Sequence, residues 1–268
     1  MNGRFHKMHG LGNDFVVLDA RAEPVAMSAR RARAMADRRT GIGCDQLIVL
    51  DASPDRDAAM TIWNSDGSPA EACGNAFRAV ALLMGDAVLA TSGGDVTIAA
   101  EGGVATVDLQ PPRFGWDEIP LAYAVDTTAM PVAWGDLSNP VAVNVGNPHV
   151  IFFVADNAAI DIEALGPQVE TDALFPDRIN VNVATVMGPG GLSLRTWERG
   201  AGLTLACGTG ACATAVAAIR SKRVSSPVSV TMTGGTVEID WAEGRGIRMT
   251  GPATHVYSGE FDWDAFPL

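Results

Sequence analysis

Short runs that alternate apolar and polar residues, separated by glycine-rich turns, cover most of the chain and predict strands. In the first half these runs are Arg4–Met8, Phe15–Asp19, Leu47–Leu50, Met60–Trp63, Val96–Ala99 and Val104–Leu109, the last two joined across Glu101-Gly102-Gly103. In the second half they are Val141–Val145, Val150–Val154, Ile179–Val186, Leu192–Trp197, Val228–Met232, Val237–Trp241 and Ile247–Thr250, with Val256–Phe261 as one more. Helical periodicity is rarer. Ser28 can cap a helix through about Arg38, with Arg30, Arg31 and Arg33 on its wet side. A second helix is expected near Asp161–Ala173, bent or broken at Gly166-Pro167. Two more follow Cys73 and Cys207. After Cys207 the residues Ala211, Cys212, Ala215, Val216 and Ile219 recur at helical spacing, which predicts a buried apolar face.

The two cysteine-led helices belong to a repeat. The cysteines are 207 − 73 = 134 residues apart, half of the 268-residue chain. The same offset carries Gly12-Asn13-Asp14-Phe15 onto Gly146-Asn147-Pro148-His149, Gln46 onto Asn180 and Asn64 onto Glu198. Beyond the helices it grows to 141, carrying Gly93–Ile98 onto Gly234–Ile239 and Pro111 onto Pro252. Matches in one order with one change of length predict two homologous halves facing each other across a site. The expected fold is α+β: two pseudo-symmetric barrel-like domains, each a mixed sheet wrapped on a central helix, with the site in the cleft between them. Residues 1–118 form the first domain and 119–255 the second. The loosely patterned Phe114–Pro120 connects them, and the strand in 256–268 crosses back to complete the first.

Composition narrows the classes of function. A net charge of −12 leaves no basic surplus to neutralise phosphate and argues against a nucleic-acid partner. Apolar content of 47% indicates a globular chain. No apolar run reaches the ~18 residues of a membrane helix, and Met1–Val17 lacks the apolar core of a secretory signal, so a cytoplasmic location is expected. The four cysteines show neither metal-ligand spacing nor the density of a disulfide scaffold; free thiols are expected, and no metal. Cys44 and Cys212 read as small core residues.

Cys73 and Cys207 read differently because they occur at equivalent positions. Each precedes a helix, whose N-terminus carries partial positive charge and unpaired N–H groups. That placement is expected to lower a thiol pKa and to hold a carboxylate through Gly74-Asn75 and Gly208-Thr209. Two such thiols on opposite faces of one carbon could remove and return a proton, inverting the centre without cofactor or metal. Glu198-Arg199 stands before a glycine-rich loop leading to Cys207: the carboxylate could hold an ammonium, and the guanidinium a second carboxylate. His149, in the repeated turn, is a candidate for proton handling. A redox or thiol-transfer protein is the alternative of a different class.

At these residues the sequence resembles the diaminopimelate epimerases. The segments are GLGNDF (Gly10–Phe15), GIGCDQ (Gly41–Gln46), NSDGSPAEACGN (Asn64–Asn75), GNPH (Gly146–His149), RINV (Arg178–Val181) and ERGAGLTLACGTGACA (Glu198–Ala213). The resemblance implies a cofactor-independent enzyme interconverting LL- and meso-2,6-diaminopimelate for lysine and peptidoglycan-precursor synthesis, with Cys73 and Cys207 as the acid/base pair. It implies that Gly74, Asn75, Gly208 and Thr209 hold the reacting carboxylate and that Glu198 receives the reacting ammonium. Asn13, Gln46, Asn64, Asn147, Asn180 and Arg199 would complete the substrate shell, while His149 and Glu198 would tune the thiols. The expected partner is this small molecule, with a second copy of the chain as a further candidate. Ala76-Phe77 and Leu203 depart from the family pattern. A ring amino acid of the proline type, or a phenazine-type isomerisation, is the alternative chemistry on the same fold.

Overall fold

The computed structural model describes residues 2–70 and 73–268; Met1, Glu71 and Ala72 lie outside the described residues, the last two within the segment leading to Cys73. The chain divides into one unit of residues 1–108 and 251–268 and another of 109–250. The divide falls ahead of Phe114–Pro120, because that stretch packs into the second unit. Arg113 and Asn144 exchange backbone hydrogen bonds, the Thr127 hydroxyl donates to the Phe114 carbonyl, and Ile119 is buried beside Val150 and Phe152.

In the first unit β1 (Asn2–Gly10) and β2 (Asn13–Ala20) form a hairpin over Leu11 and Gly12, both at positive φ. α1 (Ala29–Ala36) carries the crossover to β3 (Gln46–Asp51), which lies parallel to β2 with Phe15 opposite Gln46. β4 (Ala58–Asn64) returns antiparallel, placing Asn64 opposite Gln46, and pairs with the short β5 (Pro69–Ala70). α2 (Gly74–Met84) crosses to β6 (Ala87–Thr91), parallel to β4, and β7 (Gly94–Glu101) and β8 (Val104–Leu109) follow as a meander. The C-terminal strand Thr254–Asp262 lies antiparallel on β1.

The second unit has a small hairpin, β9 (Ala133–Trp134) and β10 (Leu137–Ser138), and then repeats the plan. β11 (Val141–Asn144) pairs with β12 (Pro148–Phe153); α3 (Ile162–Glu170) crosses to the parallel β13 (Asn180–Gly188). β14 (Gly191–Glu198) and β15 (Gly202–Thr204) lead to α4 (Gly208–Arg220), and then to β16 (Val228–Met232), β17 (Gly235–Asp240) and β18 (Ile247–Pro252).

Strand register reproduces the sequence repeat. His149 stands opposite Asn180 as Phe15 stands opposite Gln46, each shifted by 134. Val181 opposite Trp197 sets Asn180 against Glu198, the counterpart of Gln46 against Asn64. After the helices Val228 opposite Ile239 answers Ala87 opposite Ile98, each shifted by 141. In the last hairpin Thr97 pairs with Asp108, whereas Glu238 pairs with Thr250, so the final strand is shifted by 142. The longer turn after Asp240 adds that residue, and Pro111 therefore does not align with Pro252 in register.

Both cysteine-led helices are more enclosed than one-sided periodicity predicts. Every residue of α2 from Gly74 to Ala81 and of α4 from Gly208 to Ala218 is buried, as expected for a helix that sheet surrounds. α3 is shorter than its expected span, and Pro167 lies inside it. Arg31 and Arg33 are not merely solvated: they bond the carbonyls of Phe266 (2.7 Å) and Asp66 (2.8 Å).

The turn Asn64–Ser68 joins the two bonds Gly67 N–H to Asn64 O and Asn64 N–H to Ser68 O. Gly67 has φ +83°, and a Cβ there would lie 2.2 Å from the Ala29 carbonyl oxygen. Gly67→Ala therefore combines left-handed strain with a backbone clash at the start of α1. It is expected to lower stability by about 2 kcal/mol or more in urea denaturation.

Candidate active site

In the first unit Cys73 is the N-cap of α2 with extended backbone (φ −145°, ψ 103°) and a half-buried side chain. Its thiol donates to Asn13 Oδ1 at 3.6 Å, and Asn75 Nδ2 donates to the same oxygen at 3.1 Å. Arg78, wholly buried, donates to Asn75 Oδ1 (2.8 Å) and to the Pro252 carbonyl (3.2 Å). The other end of the Asn13 amide, Nδ2, donates to Asp45 Oδ2 at 3.1 Å. Asp45 belongs to a charged cluster: Arg38 bonds both Asp14 and Asp45, and Lys7 bonds Asp14 and the Gly43 carbonyl. Burial alone would raise the Asp14 carboxyl, but the bonds from Arg38 and Lys7 outweigh it and hold it well below the carboxylate range.

Gln46 and Asn64, opposite each other in register, are joined by Gln46 Nε2 to Asn64 Oδ1 at 3.1 Å. Gln46 Oε1 is buried with no hydrogen-bond partner among the described residues. A buried acceptor in that state costs free energy that a bound donor would recover. Cys44, placed by sequence in the core, is buried there, and burial pushes its thiol up to about 12.

In the second unit Cys207 is the N-cap of α4 (φ −120°, ψ 108°) and only 3% exposed. The Gly210 N–H donates to its sulfur at 3.4 Å, and Thr209 Oγ1 lies 3.6 Å away. The expected lowering of its pKa by the helix terminus does not dominate. Burial, followed by the Glu198 carboxylate, drives the Cys207 thiol well above its ordinary value, although Thr209 and the Gly210 N–H pull it down. Glu198, at the end of β14, accepts from the Thr204 hydroxyl at 2.6 Å.

His149 is fully buried, and burial, with Arg199 contributing, pushes its pKa down to about 3. Its Nε2 is 2.9 Å from Asn147 Oδ1, and its Nδ1 is 3.1 Å from Asn182 Nδ2. Both ring nitrogens are thus committed to asparagine amides, and the ring is neutral near pH 7. Asn147 Nδ2 donates onward to Thr209 Oγ1 at 3.3 Å. Asn180 bridges two backbones: its Nδ2 donates to the Pro148 carbonyl (2.9 Å), and its Oδ1 accepts the Arg199 N–H (3.0 Å). The Arg199 guanidinium donates to the Asp177 carbonyl at 3.2 Å. Leu203, in β15 ahead of Cys207, is exposed.

Cys73, Asn13 and Asn75 are thus gathered in the first unit, with Gln46 and Asn64 paired on its strands; Cys207, Thr209, Asn147, His149 and Glu198 are gathered in the second. Sequence reasoning passed over Asp45, Asn182 and Thr196. Asp45 sits inside the GIGCDQ segment, and Asn182 lies two positions after Asn180, hence on the same strand face. Gly210 packs against this group; a Cβ there would lie 2.7 Å from Asn182 Oδ1 and 3.1 Å from Thr196 Oγ1. Among the described residues no three His, Cys, Asp or Glu side chains are grouped to hold a metal ion. No helix among them is long and apolar enough to cross a membrane.

The mixed α+β fold is shared by a class of solved structures. A PhzF-family phenazine biosynthesis protein from Bacillus anthracis is 15% identical with a TM-score of 0.70, covering 97% of this chain and 99% of its own. A hydroxyproline epimerase from Agrobacterium vitis is 13% identical with a TM-score of 0.67, covering 97% and 92%. At such identities the likeness concerns the fold alone.

Sequence goes further. The diaminopimelate epimerase family profile matches residues 5–113 and 141–256. The diaminopimelate epimerase of Rhizorhabdus wittichii is 62% identical over 99% of this chain and 98% of its own, and that of Zymomonas mobilis is 54% identical over 99% and 100%. The chain belongs to the diaminopimelate epimerase family and is an isomerase.

Proposed function

We propose that the protein interconverts LL- and meso-2,6-diaminopimelate by transferring a proton at the α-carbon between Cys73 and Cys207, in the cytoplasm and on the route to lysine and peptidoglycan precursors. The observation that carries this reading is the placement of the two cysteines at equivalent positions of the repeat, each capping the N-terminus of a buried helix, in a chain whose close relatives bear that enzyme's name.

The step is balanced without a cofactor. One thiolate takes the α-hydrogen as a proton, forming S–H while the C–H electron pair spreads into the substrate carboxylate. The other thiol gives its proton to the opposite face of the carbon and is left as thiolate. Helix-terminal N–H groups at Gly74-Asn75 and Gly208-Thr209 stabilise the charge that develops on the carboxylate. Glu198 takes the reacting ammonium. Burial and, after it, the Glu198 carboxylate raise the Cys207 thiol; an ammonium on Glu198 offsets the second of these. The unpaired Gln46 Oε1 supplies an acceptor for a second ammonium, with Asn64 holding the amide in place. Such a donor at the far end of the substrate is what separates diaminopimelate from a ring amino acid.

The experiment is epimerisation of LL-diaminopimelate in deuterated water, with proline and hydroxyproline as controls. Deuterium is expected at the α-carbon of the meso product and no turnover of the ring amino acids. Protium retained at that carbon would exclude the two-base route, and turnover of proline alone would move the substrate to the ring class.

A further inference from the structure

The two asparagines beside the cysteines are equivalent in the repeat, yet they present opposite ends of their amides. Each orientation is fixed from outside the amide. At Asn13, Nδ2 faces the Asp45 carboxylate, which only accepts hydrogen bonds, so Oδ1 must face Cys73 and Asn75. At Asn147 the anchor is further back. Asn182 Nδ2 donates both to the Val150 carbonyl (3.2 Å) and to His149 Nδ1 (3.1 Å), while Asn182 Oδ1 accepts from Thr196 Oγ1 (3.0 Å). His149 Nδ1 is therefore the acceptor, Nε2 carries the hydrogen, and Asn147 Oδ1 must receive it. Asn147 is left with Nδ2 toward Thr209 Oγ1, whose own hydrogen is then free to point at the Cys207 sulfur, 3.6 Å away.

Among the described residues the first unit has no such chain. At the positions shifted by 134 it carries Phe15 for His149, Ile48 for Asn182 and Ile62 for Thr196, all buried. The buried polar line is confined to the half that contains Cys207, where leaving any member unsatisfied would be costly.

We infer that Asp45 and Asn182 are positioning residues that lock the Asn13 and Asn147 amides in opposite senses, so that the amide beside Cys73 presents its oxygen to the thiol while the amide beside Cys207 presents its nitrogen to Thr209, whose hydroxyl can then donate to the sulfur. This rests on the epimerase reading above. Thr209 and the Gly210 N–H are the donors left to the Cys207 sulfur, and both favour its charged form.

The test joins a spectrum to kinetics. Side-chain ¹⁵N NMR of the unmodified protein at pH 7 is expected to show His149 neutral with the hydrogen on Nε2; an Nδ1–H tautomer or an imidazolium overturns the proposal. Asn182→Leu is expected to cut kcat for LL-diaminopimelate about tenfold or more, with KM shifted less than about threefold, and Asp45→Ala to do the same through Asn13. Should Asn182→Leu fail to fold, Asn182→Asp supplies a carboxylate that imposes the Nδ1–H tautomer, as an aspartate does in a catalytic triad; kcat retained with the tautomer switched overturns the proposal. If the unmodified enzyme does not epimerise diaminopimelate, the epimerase reading falls, while the tautomer spectrum still judges the chain of bonds on its own.

Discussion

Cys207→Ala is expected to abolish epimerisation, with kcat down by about a thousandfold or more, and Cys73→Ala to do so to the same degree. A positioned acid or base contributes typically about 10²–10⁴ in rate, and the proposed reaction consumes both in one turnover, so neither thiol can stand in for the other. The fold should survive both changes. Cys207 fills a small buried site, and its polar contributions are weak bonds with the Gly210 N–H and Thr209. Losing an N-cap of that kind costs about 1 kcal/mol, small against the usual 5–15 kcal/mol of a folded domain. Circular dichroism and thermal melting would show the fold intact while the deuterium-incorporation assay reads zero. Serine at either position sharpens the test. It keeps a hydrogen-bonding hydroxyl but not a group that ionises near neutral pH, so it should be as inactive as alanine. Turnover by a single mutant within about tenfold of the parent would remove that cysteine from the chemistry.

What was legible in the sequence was whatever the repeat marks twice. The offset of 134 is visible because the same small residues recur around each cysteine, and strand register follows it through β2–β3 and β12–β13. Less legible were the elements with no periodicity to show. Pro69–Ala70 and Gly202–Thr204 are strands of two and three residues, defined by a partner and not by their own pattern. The depth of α2 and α4 was hidden as well. Alanine and glycine suit any face of a helix, so a run such as Gly208–Ala218 does not declare that it is buried all round. At the site, the residues touching the cysteines lie in the repeated motifs, but those holding them do not. Asn182 and Thr196 have apolar counterparts in the first unit, so comparison of the halves points away from them. The sign of the Cys207 shift is hidden in the sequence for a related reason. A helix terminus can be located in a sequence, whereas the burial and the Glu198 charge that outweigh it are set by tertiary packing.

Acid should destabilise the protein through His149 well before its carboxylates protonate. In the folded chain the ring stays neutral down to about pH 3, because burial opposes charge and both nitrogens are committed to asparagines. In the unfolded chain it ionises near pH 6.5. Between those values the unfolded state binds a proton that the folded state refuses, so stability is full above about pH 6.5 and falls as pH drops toward 3. The slope approaches ~1.4 kcal/mol per pH unit, or roughly 2 kcal/mol by pH 5, a sizeable share of a marginal stability. His6, lowered by burial and by neighbouring His255, adds in the same direction but is only partly enclosed. Asp14 acts in a different window. Its carboxyl is held low by Arg38 and Lys7 against the opposing effect of burial, so its contribution is present above about pH 4 and is lost only below that. Urea denaturation at pH 7.5 and pH 5 should therefore show a loss in the parent that is largely absent in His149→Gln, a side chain that hydrogen-bonds but does not titrate. An equal loss in both would mean that His149 is charged in the folded state. In that case the bond between Asn182 and His149 would have to run in the other direction, because both nitrogens of an imidazolium donate.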